Sequence, residues 1–310
     1  MITTLAGGVG AARLLAGLVQ VVDPAELVAV VNTGDDLVLH GLEISPDLDT
    51  VTYTLAGAID PERGWGLAGE TWQAMDTLRR YGGEAWFNLG DRDLGTHLYR
   101  TARRHGGATL TEVTADIVAA WGLGLTVLPV TDDLLRTWVT VDGDDGGHEI
   151  SFQEYFVGRQ HSVPVSAVRF EGAERARPAP GVLAAIERAD TVVIAPSNPI
   201  VSIGPVLAVP GVRDAVVARR DDVVAVSPIV AGAALKGPAD RLLVELGHES
   251  SVVGVARLYA ELAATLVIDD ADADLAPAVE AEGVRCVVAP TVMSSATVAA
   301  ALGRTVMGAR

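Results

Sequence analysis

The chain alternates between two kinds of apolar pattern. Short runs of β-branched and other apolar residues, bounded by Gly, Pro, Asp or Asn, are typical of buried parallel strands. Between these runs, apolar residues recur at helical spacing, as at Leu14, Leu15, Leu18 and Val22. The predicted strands cover residues 1–5, 27–31, 126–130, 191–195, 223–226, 265–268 and 285–288. Strands that alternate with helices predict an α/β protein with a parallel sheet covered by helices on both faces.

This alternation is interrupted in two places. Residues 50–121 have mostly helical patterns and predict a helical cap beside the first strands. A small mixed α/β insertion is predicted between residues 131 and 179, with a hairpin tip at residues 142–147 and a Pro-rich end. We therefore expect a core formed by residues 1–130 and 180–310.

A glycine-rich turn follows the first predicted strand. Gly8 and Gly10 precede an amphipathic helix, and the N-terminus of such a helix suits a phosphate group. The dinucleotide-binding fingerprint is incomplete because Arg13 occupies the position of its third glycine. The alternative is a tight turn that packs the helix against the strand.

Polar residues also follow the second predicted strand. The run 28–31 stops at Asn32, and Asp35, Asp36, Asp47 and Asp49 come soon after it. In open α/β sheets, ligands bind at the carboxyl ends of the strands, so this stretch is a candidate site. The alternative is a solvated loop, since Asp, Asn and Gly also form turns for conformational reasons.

Composition excludes several classes of protein. The net charge of −17 argues against binding to DNA or RNA. No apolar run approaches the roughly 18 residues of a membrane span, and no signal peptide is recognisable at the N-terminus. The single Cys286 cannot form an intramolecular disulfide, which favours a cytoplasmic location. The 23 basic residues include one lysine, Lys236.

Five motifs in a fixed order resemble the 2-phospho-L-lactate transferase family of deazaflavin coenzyme biosynthesis. They are Val31-Asn32-Thr33-Gly34-Asp35-Asp36, Ile44-Ser45-Pro46-Asp47-Leu48-Asp49-Thr50-Val51, Leu89-Gly90-Asp91-Arg92-Asp93, Pro196-Ser197-Asn198-Pro199-Ile200 and Ala225-Val226-Ser227-Pro228-Ile229, after Gly7-Gly8-Val9-Gly10. The resemblance extends over essentially the whole chain. It implies a Rossmann-like fold, Mg²⁺ dependence and a homodimer.

The resemblance also implies a reaction. A phospho-three-carbon acid is transferred from a guanosine diphospho-donor to the terminal ribityl hydroxyl of the deazaflavin Fo, and GMP is released. The acid is lactate or, in actinobacterial members, enolpyruvate.

Site residues are implied by position in the family motifs. Asp49 and Asn88 are expected to hold the deazaflavin, although many relatives have a lysine where this chain has the neutral Asn88. Asp49 is also the expected catalytic residue, and Asp49 with Asp60 are the expected Mg²⁺ ligands. The remaining expected substrate-binding residues are Gly8 and Gly10 beside the phosphates, Ser197 and Asn198 on the guanosine side, and Asn32, Asp35, Asp91 and Arg92.

Two other functions share part of the pattern. One is a nucleotide-binding regulator of the gluconeogenesis-factor type, without transferase activity; the other is a nicotinamide oxidoreductase. The acidic motifs argue against the first, and the missing third glycine argues against the second. If Asp49 binds the metal or orients the hydroxyl, we expect Asp49→Asn to abolish activity and leave the melting temperature nearly unchanged.

Overall fold

The structure is a computed structural model that describes residues 1–142 and 147–309. The strands, in chain order, are β1 Ile2–Ala6, β2 Leu27–Val31, β3 Leu37–Leu39, β4 Leu42–Ile44, β5 Thr126–Pro129, β6 Arg136–Val141, β7 His148–Ser151, β8 Val165–Glu171, β9 Thr191–Ile194, β10 Val223–Val226, β11 Ile229–Val230, β12 Ala233–Ala234, β13 Thr265–Ile268 and β14 Arg285–Val288. The α-helices are α1 Gly8–Leu18, α2 Pro46–Leu55, α3 Gln73–Arg80, α4 Asp93–His105, α5 Leu110–Ala120, α6 Val182–Arg188, α7 Gly204–Ala208, α8 Val212–Ala218, α9 Ala239–Glu245, α10 Val252–Tyr259, α11 Ala276–Ala281 and α12 Ala296–Gly308.

Seven strands form the central sheet in the order β14-β13-β10-β9-β1-β2-β5, and all neighbouring pairs are parallel. Strands β2 and β5 extend the sheet on one side of β1. The later strands β9, β10, β13 and β14 extend it on the other side. The order therefore reverses between β1 and β9. Such a switch point opens a crevice at the carboxyl ends of the two strands.

The two faces of the sheet bury separate hydrophobic cores. Alternate side chains of each strand point to opposite faces, so Leu5 and Ile194 belong to one core while Ala6 and Val193 belong to the other. Helices α6, α8 and α10 cover the first face, and α1, α5 and α12 cover the second. The prediction of a Rossmann-like parallel sheet with helices on both faces is confirmed.

Smaller elements surround the central sheet. Strands β6, β7 and β8 form an antiparallel sheet inside the predicted insertion of residues 131–179. The tip predicted at residues 142–147 includes 143–146, which lie outside the described residues. Within residues 50–121 the structure has the rest of α2 and helices α3, α4 and α5. The division into core, cap and insertion is not tested by these elements and stays a prediction.

One helix boundary differs from the sequence prediction in a way that affects the site. The pattern predicted a helix over residues 50–58, but α2 spans Pro46–Leu55 with its proline at the first position. Proline is favoured there because its φ already suits a helix and its missing N–H would have no intrahelical partner. Asp47 and Asp49 consequently lie in the first turn of α2 instead of the preceding loop.

Candidate active site

A large cavity opens at the switch point between β1 and β9. It has a volume of about 820 Å³ and is lined by loops that follow β1, β2, β9, β10 and β14. Its volume is in the range of pockets that bind drug-sized ligands and cofactors.

The glycine turn after β1 forms one edge of this cavity. Gly8 has a φ of +72°, which glycine adopts without strain, and its N–H donates to Asp47 Oδ1 at 2.8 Å. A side chain at Gly10 would collide with the carbonyl oxygen of Pro196. Both glycines line the cavity, and their expected place beside phosphates stays a prediction. Gly10 also packs the helix closely against the loop after β9.

Two carboxylates, Asp35 and Asp47, face the cavity. Asn32 donates to Asp47 Oδ2 at 2.9 Å and accepts from Gly34 N–H at 2.7 Å, so Asn32 orients Asp47 from a fully buried position. Burial raises the pKa of Asp47 to about 6. Burial, followed by the negative charges of Asp47 and Asp36, raises the pKa of Asp35 well above its usual value. Asp35 Oδ1 is buried and has no hydrogen-bond partner among the described residues.

Asp49 does not line this cavity. Its Oδ1 accepts from Nη2 of Arg100 in a fully buried ion pair, and His97 Nδ1 lies 3.8 Å from Oδ2. His97 Nε2 in turn lies 3.3 Å from Asp93 Oδ2, and Asp93 Oδ1 accepts from Tyr53 Oη at 2.6 Å. The predicted catalytic aspartate thus belongs to a buried charge network between α2 and α4.

Asp60 also forms an ion pair with an arginine. Its Oδ2 lies 2.9 Å from Arg63 Nη2, and its Oδ1 accepts from the backbone N–H of Arg63 at 2.9 Å. Arg63 lines the cavity and Asp60 does not. Among residues 1–142 and 147–309, no group of three or more His, Cys, Asp and Glu side chains is arranged to hold a metal ion. The structure does not bring Asp49 and Asp60 together on the cavity wall, and their joint role as metal ligands stays a prediction.

The remaining predicted residues divide between the cavity and its surroundings. Asn88 lines the cavity, and its Oδ1 accepts from Nη2 of Arg79 on α3. Asp91 caps α3 by accepting from the N–H groups of Gln73 and Ala74 at 3.0 Å. Arg92 donates to the carbonyl oxygen of Ala68. Asp91 and Arg92 do not line the cavity.

Ser197 and Asn198, in the loop after β9, both line the cavity. Ser197 Oγ donates to the carbonyl oxygen of Gly7 at 2.8 Å and therefore ties this loop to the glycine turn. Asn198 Oδ1 accepts from Ile200 N–H at 2.9 Å. Its Nδ2 is buried and has no hydrogen-bond partner within residues 1–142 and 147–309. Asn198 can therefore donate to a bound ligand.

Sequence analysis missed two sets of cavity residues. The first is a cationic wall formed by Arg13, Arg63 and Lys236, and the second is a set of aromatic side chains. The aromatic set consists of Trp65, Trp86, Phe87, Phe152 and Phe156. The presence of a single lysine in the sequence drew attention to Lys236. Its place beside Arg13 and Arg63, however, depends on tertiary structure.

Among the described residues, no single helix is long and apolar enough to cross a membrane. The pair Pro199–Ala208 and Val212–Ala218 meets the length and composition test only when joined across a 97° bend.

Comparisons with known proteins give the chain its relatives. The family model described as 2-phospho-L-lactate transferase CofD matches residues 2–293. The phosphoenolpyruvate transferase of Streptomyces griseus subsp. griseus is 46% identical over 305 residues, which cover 98% of this chain and 96% of that protein. The phosphoenolpyruvate transferase of Kitasatospora aureofaciens is 44% identical over 309 residues, with coverages of 99% and 96%.

A solved structure shares the fold. The crystal structure of a UPF0052 family member from Bacillus halodurans matches with a TM-score of 0.61 and 16% identity, over 99% of this chain and 98% of that chain. At this identity the likeness shows the fold alone, whereas the family model and the relatives above extend over nearly the whole sequence. The chain therefore belongs to the 2-phospho-L-lactate transferase CofD family and is a transferase of coenzyme biosynthesis.

Proposed function

We propose that the protein transfers a phospho-three-carbon acid from a guanosine diphospho-donor to the ribityl hydroxyl of the deazaflavin Fo. The ribityl oxygen attacks the phosphorus that carries the three-carbon acid, the bond from this phosphorus to the oxygen of the guanosine phosphate breaks, and GMP leaves. The hydroxyl proton is lost to a carboxylate or to water. Family membership supports this reaction, and the single structural observation behind it is the chemistry of the 820 Å³ cavity.

The aromatic side chains suit a planar acceptor. Trp86 and Phe87 pack edge to face with centroids 5.7 Å apart, and the rings of Phe152 and Phe156 are stacked with an interplanar angle of 5°. Flat rings such as a deazaflavin gain from offset stacking and edge contacts with aromatic side chains. Asn88, on the same cavity, supplies a hydrogen-bonding amide for such a ligand.

The cavity carboxylates suit Mg²⁺. Asp35 and Asp47 are buried and their pKa values are raised. In the part of the chain that the structure describes, Asp35 Oδ1 has no hydrogen-bond partner. Mg²⁺ usually takes one or two carboxylates together with phosphate oxygens and water. We propose that Asp35 and Asp47 hold Mg²⁺ beside the donor phosphates. The ion would neutralise charge on the diphosphate as the phosphorus–oxygen bond breaks.

We propose enolpyruvate as the three-carbon acid, because relatives 44–46% identical to this chain are phosphoenolpyruvate transferases. Guanine specificity rests on the family, with Asn198 as a candidate contact through its free Nδ2. We expect GDP to bind more tightly than ADP in titration calorimetry, and equal affinities would contradict guanine recognition. The homodimer and the cytoplasmic location stay predictions.

The reaction is tested by incubating the protein with Fo, Mg²⁺ and the enolpyruvyl donor. We expect GMP and the phosphoenolpyruvyl derivative of Fo in equal amounts, measured by chromatography and mass spectrometry. A lactyl donor used more efficiently would replace the enolpyruvyl assignment. GMP release that does not require Fo would indicate a hydrolase and contradict the proposal.

A further inference from the structure

Three segments distant in sequence bring positive charge to one cavity. Arg13 lies on α1, Arg63 lies in the loop after α2, and Lys236 follows β12. Lys236 is the only lysine in a chain with a net charge of −17. Three basic residues among the lining of one cavity are therefore a notable concentration of positive charge for this protein.

Two of these cations, Arg13 and Lys236, differ from most helical arginines in their ion pairing. Within the described part of the chain, neither Arg13 nor Lys236 forms an ion pair, although most arginines on the α-helices do. The Lys236 ammonium has a carbonyl neighbour, the oxygen of Arg63, at 3.4 Å. Burial and the like charge of Arg13 lower the pKa of Lys236. Like charges that converge without a counterion favour the binding of an anion.

The third cation is held in a fixed orientation. Arg63 is paired with Asp60 at 2.9 Å and donates to the carbonyl oxygen of Leu67 at 3.0 Å. Its guanidinium carbon lies 5.4 Å from the ring centroid of Trp65 and 5.3 Å from that of Trp72. Its Nε is buried, and no described residue forms a hydrogen bond with it. Two aromatic rings and a carboxylate therefore restrain the Arg63 side chain. The structural role of Asp60 is to orient Arg63.

We propose that the cationic wall of Arg13, Arg63 and Lys236 is an oxyanion-binding subsite for a phosphate or carboxylate group of the donor substrate. An arginine fork binds either group through two parallel N–H donors, and the lysine adds a compact charge. Identifying the anion as part of the donor rests on the proposed function; the presence of an oxyanion subsite does not.

The subsite is tested first by binding. Arg13→Met and Lys236→Met each remove one exposed charge, and Arg304→Met is the matched control because it removes the same charge from an exposed position on α12. Inorganic pyrophosphate and pyruvate are titrated separately by calorimetry. We expect each cavity variant to weaken at least one probe by about tenfold, the loss that a charge-assisted hydrogen bond gives, with Arg304→Met unchanged.

The probes distinguish the two sources of the oxyanion. Weaker binding of pyrophosphate alone assigns the wall to the donor phosphates, and weaker binding of pyruvate alone assigns it to the carboxylate of the three-carbon acid. Unchanged binding of both probes in both cavity variants would overturn the proposal. An equal loss in Arg304→Met would also overturn it, because the effect would then reflect overall charge.

A second readout uses the single lysine. Trinitrobenzenesulfonate modifies amines, so Lys236 and the Met1 amine are the reactive groups, and peptide mapping separates them. Met1 lies beside Asp190 at 2.7 Å, outside the cavity, and serves as an internal control. We expect pyrophosphate or pyruvate to protect Lys236 and not Met1; equal protection or none would contradict the subsite. These measurements need no turnover. The protein could therefore bind oxyanions at this subsite without releasing GMP, or release GMP without binding oxyanions there, and the two failures are distinguishable.

Discussion

Asp49 and Arg100 form an ion pair that is completely enclosed by protein, with Arg100 1% exposed and Asp49 6% exposed. Removing one partner from such a pair leaves a buried charge without a counterion, at a cost of about 3 to 5 kcal/mol. This changes the expectation that Asp49→Asn leaves stability unaffected.

We therefore predict that Asp49→Asn and Arg100→Met each reduce the free energy of unfolding by about 3 kcal/mol or more. The double variant should lose less than the sum of the two, because neither charge then remains unpaired. Urea unfolding of the four proteins gives the coupling. Turnover of folded Asp49→Asn, measured at low temperature, tests the predicted catalytic role separately. Additive losses in the double variant would contradict a coupled pair.

Helix geometry explains why the structure separates Asp47 from Asp49, two carboxylates that the sequence placed in the same stretch. The strand runs, the turn residues after them and the family motifs were enough to predict the sheet and the loops at its carboxyl edge. Asp47 and Asp49 differ by two positions, or about 200° around a helix. Once α2 begins at Pro46, Asp47 faces the glycine turn and Asp49 faces Arg100. Only the helix start, which the sequence did not locate, decides between them.

The sequence could not predict which distant residues meet at the cavity, because this depends on tertiary contacts. Lys236 and Arg63 are separated by 173 positions, yet Lys236 Nζ lies 3.4 Å from the carbonyl oxygen of Arg63. No local pattern connects them, because their proximity depends on how the loop after β12 packs against the cap. The edge of the cavity was therefore predictable, whereas its cationic and aromatic walls were not.

The raised pKa values of Asp35 and Asp47 predict pH-dependent stability. Both carboxyl groups bind a proton more tightly in the folded protein than in the unfolded chain, where the pKa is 3.8. Their contribution to folding stability is therefore most favourable below pH 4 and is lost as the pH rises. For Asp47 the loss occurs as the pH passes through about 6. A bound cation should offset this loss.

We accordingly predict that Mg²⁺ raises Tm more at pH 7 than at pH 5, because the metal competes with protons for these carboxylates. Asp35→Asn should reduce the decline in stability with pH and the effect of Mg²⁺. The control is Asp221→Asn, which removes an equal charge from a side chain that is 97% exposed. Scanning calorimetry gives the Tm values. A full Mg²⁺ effect in Asp35→Asn would exclude this carboxylate as a ligand.

The contact between Asn88 and Arg79 leads to a prediction about binding of the acceptor substrate, Fo. Asn88 faces the cavity while its Oδ1 accepts from Arg79, so the amide is oriented with its Nδ2 free to donate. Asn88→Ala should raise KM for Fo and leave kcat nearly unchanged, which is the signature of uniform binding. Arg79→Met should have a smaller effect in the same direction, with Arg80→Met as the control of equal charge. A large fall in kcat would instead give Asn88 a role in the chemical step.

Gly10 provides a test of how closely α1 must approach the loop after β9. An added Cβ at Gly10 would collide with the backbone carbonyl of Pro196, and backbone cannot rotate away as a flexible side chain could. Gly10→Ala should therefore be destabilising by about 1 to 3 kcal/mol, in the range of overpacking. It should also weaken substrate binding, because Ser197 joins this loop to Gly7 at 2.8 Å. Gly95→Ala on α4 is the matched control. Apart from the adjacent backbone of its own helix, an added Cβ at Gly95 would meet no atom of the described residues within 4 Å. This variant should be neutral or stabilising by about 0.5 to 1 kcal/mol. Urea unfolding and donor titration of both variants measure the two effects, and a Gly10→Ala protein as stable as Gly95→Ala would show that α1 and the loop are not in the close contact described.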